Sequence, residues 1–160
     1  MPEPTPNCPR CRSVLAPLAL SGAGVHACPT CHGTRVERSR LSGLLETMSA
    51  ELLASFDPDT ELEKSDAPPE RLGCAACGRE MARDDYCGAG LAFFERCEPC
   101  GLLWIDAAPL GTMTLMWARM EARHSRDEAA TKKFLEGADA LVTRTLVARS
   151  VSRSLLRLMG

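Results

Sequence analysis

Three observations on the sequence predict a small α+β fold that is stabilised by metal ions. Eight of the nine cysteines in the 160-residue chain form four Cys-x-x-Cys pairs. Glycine-containing quartets lie between these pairs, where a hairpin turn would connect two short strands. Apolar residues then recur at helical spacing after each set of four cysteines. Because aromatic residues make up only 4% of the chain, apolar surface alone is a weak source of stability for units this small.

The spacing of the cysteines favours zinc over the other uses of a Cys-x-x-Cys run. Residues 28–33 read CPTCHG, and such a run can anchor haem, form half of a zinc site or act as a redox dithiol. The loops between paired runs hold 16 and 19 residues, as in four-cysteine zinc sites. Two thiolates on one tight turn can reach the same metal, and a second pair completes the tetrahedron. We predict two structural Zn²⁺ ions, bound by Cys8, Cys11, Cys28 and Cys31 and by Cys74, Cys77, Cys97 and Cys100.

The N-terminus carries neither a basic start nor an apolar stretch of signal-peptide length, and no window approaches a membrane span. We therefore expect a cytoplasmic protein whose thiols stay reduced, which disfavours both a disulfide framework and c-type haem. His32 directly follows Cys31 and would be a fifth donor to a four-coordinate ion. We expect it to lie beside the ligands without binding the metal.

An internal repeat predicts two sequential sites. A shift of 66 residues places Cys8 on Cys74 and residues 21–24 (SGAG) on residues 87–90 (CGAG). After Gly90 the shift becomes 69, so the second copy carries three inserted residues in its hairpin. Each quartet is predicted to be a turn, because glycine adopts positive φ without strain. The glycines concerned are Gly22, Gly24, Gly88 and Gly90.

The repeat also assigns the ninth cysteine. Cys87 aligns with Ser21 in the predicted turn, away from either pair of ligands. No base or metal ligand adjoins it that would activate the thiol, so we expect a passive free thiol and not a redox-active one.

The chain is predicted to divide into four segments. The first ribbon and its helix span residues 1–56, with Ser39 as the helix N-cap, and an acidic, proline-containing linker spans residues 57–73. The second ribbon and its helix span residues 74–136, and a basic amphipathic helix spans residues 137–160. We interpret the apolar face of the second helix as core, with a partner surface as the alternative, and His124 as a surface residue. That face comprises Leu110, Met113, Trp117, Met120 and His124.

The C-terminal segment is where the sequence offers a partner surface. Its apolar face suits self-association or a protein partner, whereas its arginines could contact nucleic acid or acidic lipid. The formal net charge of -2 becomes about -6 with two four-thiolate zinc centres, and this favours a protein partner. The apolar face comprises Leu141, Ala148, Val151, Leu155 and Leu158, and the arginines are Arg149, Arg153 and Arg157.

Both units resemble the transcription-factor-IIB-type zinc ribbon of small bacterial proteins. Its pattern is Cys-Pro-x-Cys, a hairpin with glycine, Cys-x-x-Cys, Gly, Trp-Leu-Asp and a helix opening in Glu-Leu. Arg35 stands where the pattern has Trp, and Arg40 and Pro109 stand where it has Glu. The first unit matches through Cys8-Pro9, Cys11, Cys28-Pro29, Cys31, Gly33, Val36-Glu37 and Leu41. The second matches through Cys97, Cys100, Leu103-Trp104-Ile105-Asp106 and Leu110.

The resemblance implies the ribbon fold and bound zinc, and it implies transcription only through the family name. Catalytic zinc keeps an open coordination position, which eight paired cysteines would close. We therefore predict a non-enzymatic, zinc-binding interaction module in transcription regulation. The alternatives are direct nucleic-acid binding through the C-terminal helix and dithiol redox chemistry on a Cys-x-x-Cys pair.

Overall fold

The computed structural model of the chain describes residues 6–19, 24–52, 57, 61, 62, 64 and 70–158, with residues 137–158 described through their helical backbone. The first repeat forms three short strands and a helix: β1 (Ala16–Pro17), β2 (His26–Ala27), β3 (Thr34–Glu37) and α1 (Leu41–Leu52). The second forms β4 (Ala82–Asp85), β5 (Phe93–Cys97), β6 (Leu102–Ile105) and α2 (Ala107–Leu158). The prediction of a small α+β fold with antiparallel hairpins is confirmed.

The two repeats share one antiparallel sheet. The strand order is β1-β2-β3-β6-β5-β4, so each repeat contributes a three-stranded meander and the two meet where β3 pairs with β6. Arg35 lies directly opposite Trp104 in this pairing, and Thr34 lies opposite Ile105. Arg35 and Trp104 occupy the same position in the two repeats. An approximate two-fold axis therefore passes between them.

The sheet separates two hydrophobic clusters, here called the helix-side cluster and the cysteine-side cluster. All four residues of β6 are buried, as expected of a continuously apolar strand that is covered on both faces. Leu103 and Ile105 of β6 belong to the helix-side cluster, with Leu44 and Leu45 of α1 and Met113 of α2. Trp104 and Leu102 belong to the cysteine-side cluster, which includes two cysteines from each repeat. These are Cys8, Cys28, Cys74 and Cys97.

Helix α1 begins after a 3-10 turn formed by Arg38–Arg40. Ser39 lies inside this turn and not directly before α1, because the N–H of Leu41 donates to the carbonyl of Arg38 and closes the turn around it. The backbone N–H of Arg38 itself donates to the carbonyl of Gly101 at 2.8 Å. That hydrogen bond joins the end of β3 to the second repeat. Residues 53–56, where the sequence predicts the end of the helix, lie outside the described residues.

Helix α2 uses the first part of its apolar stripe as core. Leu110 and Met113 are buried and Trp117 packs against the helix-side cluster, whereas Met120 is 47% exposed. Exposed His124 lies 3.1 Å from Glu128 through its Nε2 atom. The bounds of α2 include Gly137, where the sequence predicts the start of a new segment. The contacts within the chain divide it into two compact units, residues 1–120 and 121–160. The four-segment division stays a prediction.

The turn prediction is confirmed where the structure describes it. Gly24, Gly88 and Gly90 have φ of 102°, 65° and 67°, and Cys87 itself has φ of 59°. Residues 21–23 and most of the predicted linker lie outside the described residues. Among the helices that the structure describes, none has the length and apolar character needed to cross a membrane.

Candidate metal centres

Each Cys-x-x-Cys pair sits on a tight turn closed by a backbone hydrogen bond. The N–H of Arg12 donates to the carbonyl of Cys8 at 2.9 Å, and that of His32 donates to Cys28 at 3.0 Å. Both residues have positive φ, 64° and 60°. Glycines with positive φ, Gly78 and Gly101, occupy the equivalent positions in the second repeat. His32 is therefore an exposed turn residue, and it is not a member of the metal-binding groups found among the described residues.

The eight cysteines predicted as ligands come together as two groups of four. Within each group all sulfur atoms lie within 4.8 Å of one another. Individual Sγ to Sγ distances are 3.6 Å for Cys8 and Cys31 and 3.4 Å for Cys11 and Cys28. Four thiolates bound tetrahedrally to Zn²⁺ at about 2.3 Å have sulfurs about 3.8 Å apart. The donor type, the number of donors and the spacing thus fit one zinc ion in each group.

Backbone amides point at the innermost sulfurs. The N–H groups of Arg10 and Cys11 lie 3.4 Å from the Sγ of Cys8, and the N–H of Ala76 lies 3.4 Å from that of Cys74. Such hydrogen bonds offset part of the negative charge that four thiolates place on each centre. They follow from the tight turn, which folds the chain back over its own first cysteine.

The thiols in each group differ in acidity. Hydrogen bonding to the Ser13 hydroxyl, and then to the Ser13 backbone, lowers the pKa of Cys11 to about 6. A hydrogen bond from the Arg79 backbone lowers the pKa of Cys77 to about 7. Burial raises the pKa of Cys8, and it raises the pKa of Cys31 to about 12. A bound Zn²⁺ supplies the positive charge that keeps all four sulfurs deprotonated.

A polar contact between the repeats lies beside the first centre. The guanidinium of Arg10 donates to both carboxylate oxygens of Asp106, at 2.9 and 2.6 Å, and the indole N–H of Trp104 donates to the same residue at 3.0 Å. The Trp104 ring lies across Gly33, where a side chain would collide with it. The cysteine pattern did not predict this contact. Comparison of the two copies could have indicated these positions, because the copies differ there: Arg10 aligns with Ala76, and Gly33 aligns with Leu102.

Comparison with known families gives a match for the first repeat. Residues 7–47 match the family described as the transcription factor zinc-finger, the TFIIB-type zinc ribbon. The matched segment contains the first four-cysteine group, β1 to β3 and the start of α1. Neither the curated proteins nor the solved structures with which the chain was compared gave a significant match. Residues 7–47 are thus similar to the TFIIB-type zinc ribbon, and a second four-cysteine group follows them, so the predicted resemblance and the prediction of zinc as the cofactor are confirmed.

We expect the purified full-length chain to hold two zinc ions, and Cys87→Ser to hold two as well. Cys87 is exposed and belongs to neither four-cysteine group. Native mass spectrometry combined with elemental analysis measures the number of ions per chain. A loss of one ion in Cys87→Ser would show that this thiol is a ligand and that the repeat alignment misplaces it.

Proposed function

We propose that the chain is a non-catalytic zinc-binding module that acts by binding protein, in transcription regulation. The exposed apolar surface of α2 within the second compact unit carries the proposal. Phe134 and Leu135 are 74% and 57% exposed on adjacent positions of this helix. Their side chains point about 100° apart around the helix axis, so together they present a wide exposed apolar surface, which gains stability when another protein covers it.

The four-cysteine composition of both centres supports the non-catalytic part of the proposal. Catalytic zinc sites combine three protein ligands with a water or substrate molecule. Four thiolates at tetrahedral spacing leave no such position, and zinc of this kind contributes to folding. A redox role for the same cysteines would require at least one pair that carries no zinc.

The charge distribution supports a protein partner over nucleic acid. With two zinc centres counted, the chain has a net charge of about -6, although residues 107–160 alone carry +4. The name of the TFIIB-type family supports a role in transcription. In such a role the module can bind a protein of the transcription machinery without contacting DNA. A cytoplasmic location remains the expectation from the sequence.

Self-association through the predicted apolar face is the form of the proposal that is simplest to test. We expect Leu155→Glu to dissociate an oligomer of the zinc-loaded chain, because it places a charge in that face, whereas Arg153→Ala leaves the assembly unchanged. Phe134→Ser should weaken the same association, and Glu136→Ser serves as its matched control on the same helix. Analytical ultracentrifugation measures each variant.

Nucleic-acid binding through Arg149, Arg153 and Arg157 makes the opposite prediction. Arg153→Ala and Arg157→Ala would then each weaken binding to a random duplex and flatten its salt dependence, because each phosphate contact contributes to the slope. A salt titration against such a duplex measures both effects. A monomer without duplex affinity would contradict both versions, and capture experiments with and without nuclease would then test for a different protein partner.

A further inference from the structure

One row of side chains crosses the whole sheet on its cysteine side, and its two halves differ in charge. The strand pairings place its members directly opposite one another, so each is the nearest cross-strand neighbour of the next. Three come from each repeat, and the approximate two-fold axis lies at the centre of the row. From edge to edge the row comprises Pro17, His26, Arg35, Trp104, Glu95 and Arg83.

In the second repeat the charges of this row are paired. Glu95 is only 4% exposed, and its Oε1 accepts hydrogen bonds from Nε and a terminal nitrogen of Arg83 at 2.8 and 2.6 Å. A buried carboxylate requires such a partner, because an unpaired charge in this position would be strongly destabilising. The second half of the row therefore contains one cation and one anion.

The first repeat has the cation without the anion. His26 occupies the position equivalent to Glu95, Pro17 the position equivalent to Arg83, and Arg35 the position equivalent to Trp104. One terminal nitrogen of Arg35 lies 3.3 Å from Nδ1 of His26. Its Nε is buried and has no hydrogen-bond partner among the residues that the structure describes. A buried guanidinium N–H without an acceptor is costly, so a rotation of the Arg35 side chain that brings its Nε–H to an acceptor in the cleft would be favoured.

Arg35 lies at the junction of two open clefts, of about 710 and 780 Å³. The first is also lined by Arg12, His26 and Asn7, and no aspartate or glutamate is among its lining residues. The second continues past Ala76 toward Arg38 and Ser39 and contains one acid, Glu37. Two adjoining clefts that share Arg35 and Ala76 offer room for several residues of a peptide.

The repeat explains why this space is open. On the other side of the two-fold axis, the equivalent positions hold Arg10 and Asp106, whose side chains pair with each other. Here the positions equivalent to Arg10 and Asp106 hold Ala76 and Glu37, and an alanine side chain is too short to fill the gap.

We propose that this cleft binds a carboxylate on an acidic segment of a partner protein, with Arg35 as the central donor and Arg12 as a second cation. The guanidinium fork matches a carboxylate in two parallel hydrogen bonds, which is the pairing that Arg10 makes with Asp106 across the axis. The first zinc centre borders the cleft through Cys8 and carries net negative charge with four thiolates bound. A free anion therefore binds weakly, and the carboxylate needs the additional contacts of a peptide. This proposal rests on the proposed protein-binding function and names the chemistry of one contact.

A labelled twelve-residue peptide of alternating glutamate and serine tests the site on the full-length, zinc-loaded chain. Fluorescence anisotropy gives its affinity, and the Nε–H resonance of Arg35 reports contact directly. We expect this resonance to shift with the peptide and not with the same peptide carrying glutamine for glutamate. Arg35→Gln should weaken binding by about tenfold or more, whereas Arg79→Gln, which removes an exposed cation outside the cleft lining, should change it by less than about twofold.

A substitution that adds positive charge inside the cleft distinguishes peptide binding in the cleft from non-specific attraction between the acidic peptide and basic side chains. Ala76→Arg should weaken binding, because its side chain would fill the shared part of the two clefts and approach Glu37. The proposal would be overturned by stronger peptide binding to Ala76→Arg or by unchanged binding to Arg35→Gln. It would also be overturned if inorganic phosphate competed with the labelled peptide as well as the unlabelled peptide does. Zinc content measured for every variant confirms that the fold is retained. Ultracentrifugation of Leu155→Glu and Phe134→Ser tests the helix separately, so failure of the cleft and failure of the helix surface are distinguishable.

Discussion

Cys28→Ser is expected to unfold both repeats and to release both zinc ions, not the first alone. Structural zinc contributes about 10–16 kcal/mol to the folding of a small domain, and three remaining thiolates hold the ion far less tightly. β3 begins three residues after Cys31 and pairs with β6 along its whole length. The buried cysteines of both repeats also belong to one hydrophobic cluster. Loss of the first repeat would therefore expose Trp104 and Leu102 of the second.

Hydrogen exchange and zinc analysis measure this coupling. In Cys28→Ser we expect the amides of β5 and β6 to lose protection together with those of β2 and β3, and zinc to fall from two ions per chain toward none. Cys87→Ser is the control, because it removes a cysteine that neither group contains. Retention of one zinc ion with full protection of β4 to β6 would show instead that the repeats fold independently.

The cysteine groups were predictable because their geometry is local. Two cysteines separated by two residues lie on one turn whatever the rest of the chain does, and the repeat assigned each pair to its partner. Cys87 could be set aside by the same alignment, and the structure places it in an exposed turn. The helical periodicity located α1 and the buried start of α2 for a similar reason, since it depends on neighbours within two turns.

The joining of the two repeats could not be read from the pattern. The pairing of β3 with β6 connects residues about seventy positions apart, and its register depends on which side chains fit across the axis. The resemblance to the ribbon family marked Arg35 as an exception, but it gave no reason for the change. In the structure Arg35 lies beside the two-fold axis, directly opposite Trp104. Trp104 is buried on one side of the axis, whereas Arg35 lines an open cleft on the other side.

The polar contact across the axis, between Arg10 and Asp106, also could not be predicted from the cysteine motif. Arg10 occupies the variable position of a Cys-Pro-x-Cys turn, which the zinc chemistry leaves unconstrained. Its pairing with Asp106 depends on the fold bringing the first turn beside the end of β6. Comparison of the two copies shows where to look, because Ala76 at the equivalent position cannot make such a pair.

Gly33→Ala is expected to destabilise the protein by about 1–3 kcal/mol, because the new methyl group would collide with a buried ring. A Cβ atom built on Gly33 lies 2.3 Å from Cζ2 and 2.9 Å from Cε2 of Trp104. The ring cannot move away easily, since Trp104 is 2% exposed and its N–H donates to Asp106. Thermal unfolding of the zinc-loaded chain, followed by circular dichroism, should show a midpoint several degrees below that of the unchanged protein.

Gly43→Ala is the matched control, and we expect it to act in the opposite direction. Gly43 lies within α1, and apart from its chain neighbours and the backbone of its own helix no described atom comes within 4 Å of the Cβ position. Alanine there should stabilise the helix by about 0.5–1 kcal/mol. Combining Gly33→Ala with Trp104→Leu, which removes the indole, should cost less than the sum of the two single changes, because both act on one contact. If the two changes were additive, or if Gly33→Ala raised the midpoint as Gly43→Ala does, Trp104 would not lie across Gly33 and the β3–β6 register would be wrong.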